Sequence, residues 1–252
     1  MDTLLGLTAT DVLILAVAFI LGGFIKGIVG LGLPMIAVPL ISLVFDPRTA
    51  IAAMILPIMG ANFIQAKSGG DFGEIALRFR WLLIPMMIGS IFGAAVITSV
   101  KLDHAALILG GLVAAFAVTT LAGWQPQLPT GVDRTLRPVV GLVSGVVGGM
   151  SSFFAPTVAP YLFTLGLDKN TFIRAMGVTF LLGEAPLFIG LALTGFAPLG
   201  IWVLSGIGWA TVAVCMTLGA KLRQRIPQKH FMTLVGGMLL IIGLNMIRRA
   251  VF

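Results

Sequence analysis

The sequence predicts an all-α, multi-pass membrane protein made of two inverted repeats, each a Gly/Pro-broken helical hairpin plus three transmembrane helices. Three observations carry that prediction: an apolar composition, two apolar runs too long and too interrupted for one crossing, and an internal repeat that contains both. Of 252 residues, 58% are hydrophobic and 10% charged, with a mean hydropathy of +1.10. Soluble domains carry about 25% charge, so a soluble globular chain is excluded, and apolar surface on this scale excludes disorder. The 32 glycines show no collagen period and sit inside apolar runs, where small residues let helices approach closely in lipid. A net charge of +7 fits basic cytoplasmic loops; no basic run interleaves with aromatics, so no nucleic-acid partner is expected. Cys215, the one cysteine, cannot form an intrachain disulfide and reads as a small packing residue.

A crossing needs roughly 20 apolar residues. Residues 11–44 make 34 positions, which as one helix would reach about 50 Å and overshoot a ~30 Å hydrocarbon core. GLGLP at Gly30–Pro34 breaks this run into two pieces. It has no Lys/Arg-rich start and no small-residue cleavage site, so it reads as retained rather than as a signal peptide. Single spans follow at 49–66, 81–100 and 104–123, completing a first repeat over residues 1–123. A cytoplasmic linker, 124–137, leads into the second repeat, 138–252. That repeat opens with another broken run, 138–166, interrupted by GGMSSFFAP at Gly148–Pro156. Spans at 172–193 and 200–220, separated by the turn-like TGFAPLG, and a last one at 228–247 complete it.

The two broken runs align. GGFIKGIVG (Gly22–Gly30) matches VGLVSGVVG (Val140–Gly148), pairing Gly23 with Gly141, Gly27 with Gly145 and Gly30 with Gly148 at a spacing of 118. DPRTAIAAM matches DKNTFIRAM at 122, with Asn62 opposite Glu184. Trp81 and Trp202 lie 121 apart, and LDHAALILGG matches QKHFMTLVGG at 126, pairing His104 with His230. Four matches in order make duplication a better account than chance.

Charge decides how the runs cross. If each doubles back, the segments 67–80, 124–137, 167–174 and 221–229 share one side and hold eleven basic residues against four opposite. If each crosses once, the split is seven against eight. Only the first obeys the positive-inside rule; it gives an odd number of elements per repeat, hence inverted halves, with the N-terminus periplasmic.

Inverted repeats around Gly/Pro-broken segments are a transporter pattern, with the site near the midplane where the breaks meet. Irregular backbone at that depth must be buried or line a cavity. Free helix N-termini there favour an anion. The expected substrate site comprises Lys26, Gly30, Gly32, Asn62, Gly148, Gly149, Ser151 and Ser152, with Glu184 as a coupling group. Lys26 stands in an apolar run, where a Lys costs roughly 2.5–3.5 kcal/mol at a helix centre; it either contacts an anion, snorkels to the surface or pairs with Glu184. Its repeat partner is Ser144. Glu184, with a carboxyl whose pKa an apolar cavity raises, can exchange a proton near neutral pH, or can form an ion pair with Lys26 or Arg174. Asn62 supplies both donors and an acceptor; Gln65 either joins it or lies at the interface. Ser151, Ser152 and Thr157 either donate to the oxygens of an anionic substrate or satisfy carbonyls freed at the break; Thr179 is a weaker candidate. Arg48 and Arg174 read as interfacial salt bridges or loop caps, and His104 and His230 as solvated. No P-loop GxxxxGK[ST] and no HExxH occurs, so no catalytic residue, metal or cofactor is expected.

GGFIKGIVGLGLPMIAVPL, echoed by VGLVSGVVGGMSSFFAPTVAP at mid-chain, resembles the TauE/SafE sulfite exporter family, also called the toluene sulfonate uptake permeases, over essentially the whole chain. The resemblance implies a secondary transporter moving sulfite or organosulfonates across the bacterial inner membrane. Leu33-Pro34 and Met150-Ser151-Ser152 stand where many members carry consecutive glycines, at the hairpin tips that bear on substrate choice. The implied partners are a small anionic substrate and the lipid bilayer, with a homodimer allowed. The rival classes are a passive anion channel, which would not saturate, and an intramembrane enzyme, for which Ser151 has no evident base.

Overall fold

The computed structural model describes residues 8–45, 47–68, 70–96, 130–151, 154–193 and 199–251, with positions 111, 114, 115, 117, 118, 121 and 122 between them. Every element among these residues longer than a turn is helical: α1 (Ala9–Val29), α2 (Leu33–Ile41), α3 (Pro47–Ala53), α4 (Ile55–Ala66), α5 (Phe72–Arg78), α6 (Arg80–Val96), α7 (Thr130–Ser151), α8 (Ala155–Thr164), α9 (Lys169–Leu193), α10 (Leu199–Arg225) and α11 (Gln228–Val251). Among the described residues, α1 and α10 are long and apolar enough to cross a membrane, and α5–α6, bent by 82°, make a third if taken as one span. The 104–123 span and the TGFAPLG turn lie largely outside the described residues. Two compact units form, one from residues 1–64 and 188–225, the other from 65–187 and 226–252. Each draws on both halves of the sequence.

In the first unit, Thr8 starts α1 with a capping box: its hydroxyl accepts from the Asp11 amide, and the Asp11 carboxylate accepts from the Thr8 amide. The helix stops at Gly30, whose φ of 91° is a left-handed value that only glycine adopts cheaply. Gly32 repeats the conformation at φ 96°, and α2 then folds back along α1: a Cβ on Gly22 would stand 2.8 Å from Leu33 and 3.5 Å from Ala37. The first run is therefore a hairpin. The 49–66 span is not one helix. Pro57 has no N–H for the Ala53 carbonyl and its ring crowds that group, so the chain breaks at Met54 into α3 and α4; the Leu56 amide donates to the Ser205 hydroxyl of α10 at 3.1 Å instead. Phe19, Leu33, Ile41, Met54, Ile58, Val212 and Met216 fill this unit's core.

In the second unit the Tyr161 hydroxyl donates to Asp133 at 2.6 Å. These residues are 28 apart, about 42 Å along a continuous helix, so α8 must return along α7. Phe163, Phe172 and Phe231 join α8, α9 and α11 edge to face, with centroids 6.5 and 6.0 Å apart.

Both units use the same crossing. Gly23 and Gly27 of α1 press on the backbone of α10 at Val212 and Met216, with Gly219 opposing. Gly141 and Gly145 of α7 press on α6 at Leu82 and Met86, with Gly89 opposing. This sets α6 and α10 in a register of 130, which pairs Met86 with Met216, and not the 121 that pairs the tryptophans. Cys215 packs at Gly23, as a small filler.

The segments expected to share one side do meet. Arg137, ahead of the second broken run, donates to the Arg78 carbonyl at 3.1 Å; Arg174 pairs with Glu74 at 3.7 Å; Lys169 donates to the Ile226 carbonyl at 2.8 Å. Arg78 and Arg137 both stack on the Phe79 ring at the α5–α6 corner. Asp133 accepts from Arg137 and Tyr161 and is 5% exposed. Burial alone would raise its carboxyl; the hydrogen bonds from Arg137 and Tyr161 and the charges of Arg137 and Arg78 outweigh that and hold it below the usual carboxylate value. Because folding lowers this pKa, the stabilisation is complete above the unfolded value near 3.8 and disappears as pH falls through the folded one. Asp133→Asn should cost about 2 kcal/mol, read as an earlier thermal transition in detergent at pH 7 whose gap to wild type closes only as pH falls below 3.8. A wild-type transition at pH 7 in the mutant would show that the triad contributes nothing.

Candidate functional site

Lys26 lies one turn before the end of α1, on a helix whose other buried residues in that stretch are Gly22, Gly23, Gly27 and Val29. With 2% of its surface exposed it does not snorkel. Its Nζ donates to Asn62 Oδ1 of α4 at 2.7 Å, and Asn62 is fully buried. This bond satisfies one of the three ammonium donors. Lys26 and Asn62, 36 positions apart, thus meet as the shared polar layer of the first unit. Gly30 and Gly32 form the turn immediately beyond, and the Gly30 amide is bonded to the Lys26 carbonyl at 2.8 Å.

A residue the sequence reading counted among loop charges belongs here too. Arg223, near the end of α10, is 3% exposed, and its Nη1 donates to the Gly27 carbonyl at 3.0 Å. Its place near the basic tail of a predicted span hid it; the Gly27–Gly219 crossing brings it in.

The second hairpin differs from its counterpart. Helix α7 continues to Ser151, so Gly148 and Gly149 are helical rather than part of the break. A Cβ on Gly148 would strike the Phe154 ring at 2.2 Å, and one on Gly149 the Ser90 carbonyl at 2.2 Å. Both glycines thus lie within the helix, with Phe154 and Ser90 filling the space a side chain would need. Ser151 ends the helix, and Ser152 lies outside the described residues. Thr157 donates to the Phe154 carbonyl at 3.0 Å, satisfying a group freed at the break. Thr179 donates to the Ala175 carbonyl at 2.7 Å, which gives it a local role. Ser144, the counterpart of Lys26, is fully buried, and among the described residues its hydroxyl has no hydrogen-bond partner. Glu184 is 4% exposed on α9, and Gln65 packs at Gly177 of the same helix. At the start of α9, the exposed Asp168 accepts from the Thr171 side chain and from the amides of Thr171 and Asn170, which holds its carboxyl below the usual value. His230 is exposed at the start of α11; His104 is outside the described residues, as is Asp46.

The first unit thus buries an ammonium bonded to a buried amide, beside a glycine turn, in an apolar helical chain. The model of the family described as sulfite exporter TauE/SafE matches residues 14–246. The chain belongs to that family. No curated protein and no solved structure matches it. The match covers both glycine-broken runs and every described helix but the ends of α1 and α11, and as a TauE/SafE member the chain is a transmembrane transporter of the sulfite/sulfonate type.

Proposed function

We propose that this TauE/SafE chain is a secondary transporter of small sulfur-containing anions, sulfite or organosulfonates, working by alternating access in the bacterial inner membrane. The observation that carries the reading is Lys26: an ammonium buried in an apolar helix, bonded to the buried Asn62 amide beside the Gly30–Gly32 turn. In this reading Lys26 binds the anion, Asn62 fixes the ammonium, Gly30 and Gly32 let the chain turn beside it, and Ser151 and Ser152 donate from the second hairpin. Glu184 carries the coupling proton. The basic segments that meet around Glu74, Arg78 and Arg174 favour a cytoplasmic location for that end, which leaves the N-terminus periplasmic; the two repeats are then inverted. A homodimer is compatible with this arrangement.

The test is uptake of labelled sulfite into proteoliposomes, with sulfonates, thiosulfate, sulfate and acetate as competitors. Saturable uptake with counterflow, and sulfur anions competing best, is the expected result. Flux that never saturates and shows no counterflow indicates a channel, and no flux from folded protein removes the substrate class.

A further inference from the structure

In the second unit, α5 meets α6 at 82°, so where α6 runs into the bilayer α5 lies along its surface. The bend carries Arg78 and Arg80, both exposed, and α7 adds the exposed Arg134. Arg134 stands three positions before Arg137, on the same side of α7, and Arg137 donates to the Arg78 carbonyl at 3.1 Å. The cations of two helices therefore share one corner. The acidic groups near it are already engaged: Asp133 accepts from Arg137 and Tyr161, and Glu74, one turn before Arg78, lies 3.7 Å from Arg174. Among the described residues no carboxylate comes within ion-pair distance of Arg78, Arg80 or Arg134. An apolar stripe starts at the same corner. Arg80 stacks over the Trp81 ring at 5.8 Å, and Trp81, Ile84, Ile88 and Ile91 follow at helical spacing, each 46–59% exposed. The stripe is about 15 Å long, half of a ~30 Å hydrocarbon core and so the depth of one leaflet, with tryptophan at the headgroup level where that residue is enriched.

We infer that the α5–α6 corner is a binding site for an anionic phospholipid, with Arg78, Arg80 and Arg134 around the headgroup phosphate and an acyl chain along the Trp81–Ile91 stripe. Guanidinium forks match phosphate oxygens in geometry as well as charge. A dissolved anion would use the cations and leave the stripe unused, whereas a lipid uses both ends of the patch. The cytoplasmic leaflet, which basic segments favour, is also the one whose surface is negative. The inference needs only a membrane-embedded chain with this corner at the interface, and it is independent of which anion is transported.

The experiment titrates the full chain in detergent micelles with phosphatidylglycerol, with zwitterionic phosphatidylethanolamine and with inorganic phosphate. Bound lipid is read by native mass spectrometry and stabilisation by the thermal transition. Phosphatidylglycerol should bind and raise the transition, and the other two should do neither. Removing the charges should weaken phosphatidylglycerol binding about thirtyfold in Arg78→Gln/Arg80→Gln and about fivefold in Arg134→Gln, on the other helix. Arg225→Gln, which removes an exposed cation from the end of α10, is the control and should bind as wild type. All these side chains are exposed, so each variant should melt as wild type without lipid. Phosphatidylethanolamine binding as tightly, phosphate stabilising as well as the lipid, or an equal loss in Arg225→Gln overturns the assignment. So does unchanged binding in both corner variants. None of these readouts involves flux, so such a failure leaves the transporter reading standing.

Discussion

Lys26→Ala should reduce kcat/KM for sulfite uptake by on the order of 100-fold, the equivalent of about 3 kcal/mol for losing a buried charge-assisted contact. The variant should still fold, since removing a buried ammonium also removes its desolvation cost. Asn62→Asp gives an independent reading of the same site. The new carboxylate would sit where Oδ1 now lies, 2.7 Å from Nζ, and form an internal ion pair that competes with the substrate. Uptake should fall as far as in Lys26→Ala, with thermal stability equal to or above wild type. Saturable uptake unchanged in both variants would assign Lys26 to tying α1 to α4.

Gly27→Val and Gly145→Val carry the largest expected structural effects. A Cβ at Gly27 would lie 2.3 Å from the Met216 carbonyl oxygen, and one at Gly145 would lie 2.1 Å from that of Met86. The obstacle is backbone in both cases, so no rotamer change relieves it and the helices must separate. Overpacking costs typically 1–3 kcal/mol where side chains can adjust; here the loss should exceed about 3 kcal/mol and appear as aggregation or a much earlier melting transition by size-exclusion in detergent. Gly206→Ala on α10, where nothing lies within 4 Å of the added carbon, is the matched control and should melt as wild type. Normal melting of Gly27→Val would mean that the α1–α10 crossing opens at little cost.

These outcomes bear on how far the sequence can be read. Composition and periodicity were enough for an all-helical membrane chain, and counting basic residues was enough to group segments that do meet through Arg137, Arg174 and Lys169. The glycine spacing of 118 identified Gly23, Gly27, Gly141 and Gly145 because close crossings admit few other residues. The third pair misled: Gly30 is a left-handed cap, whereas Gly148 stays helical under the Phe154 ring, and one letter serves both purposes. Likewise Pro57 could be seen in the sequence but the break it makes at Met54 could not be told from a kink. Arg223 was illegible for another reason. A cation near a helix end usually marks the membrane surface, and only the depth at which α10 crosses α1 turns it inward.

The bond between Arg223 and Gly27 also has a consequence in time. Its partners are 196 residues apart. At synthesis rates of about 5–20 residues per second, that separation takes on the order of 10–40 s to translate. Throughout that interval α1 is in the nascent chain with its glycine face and Lys26 awaiting α10. Biogenesis of this protein therefore includes a vulnerable period in which the insertion machinery, rather than the protein's own contacts, has to shelter a charged helix.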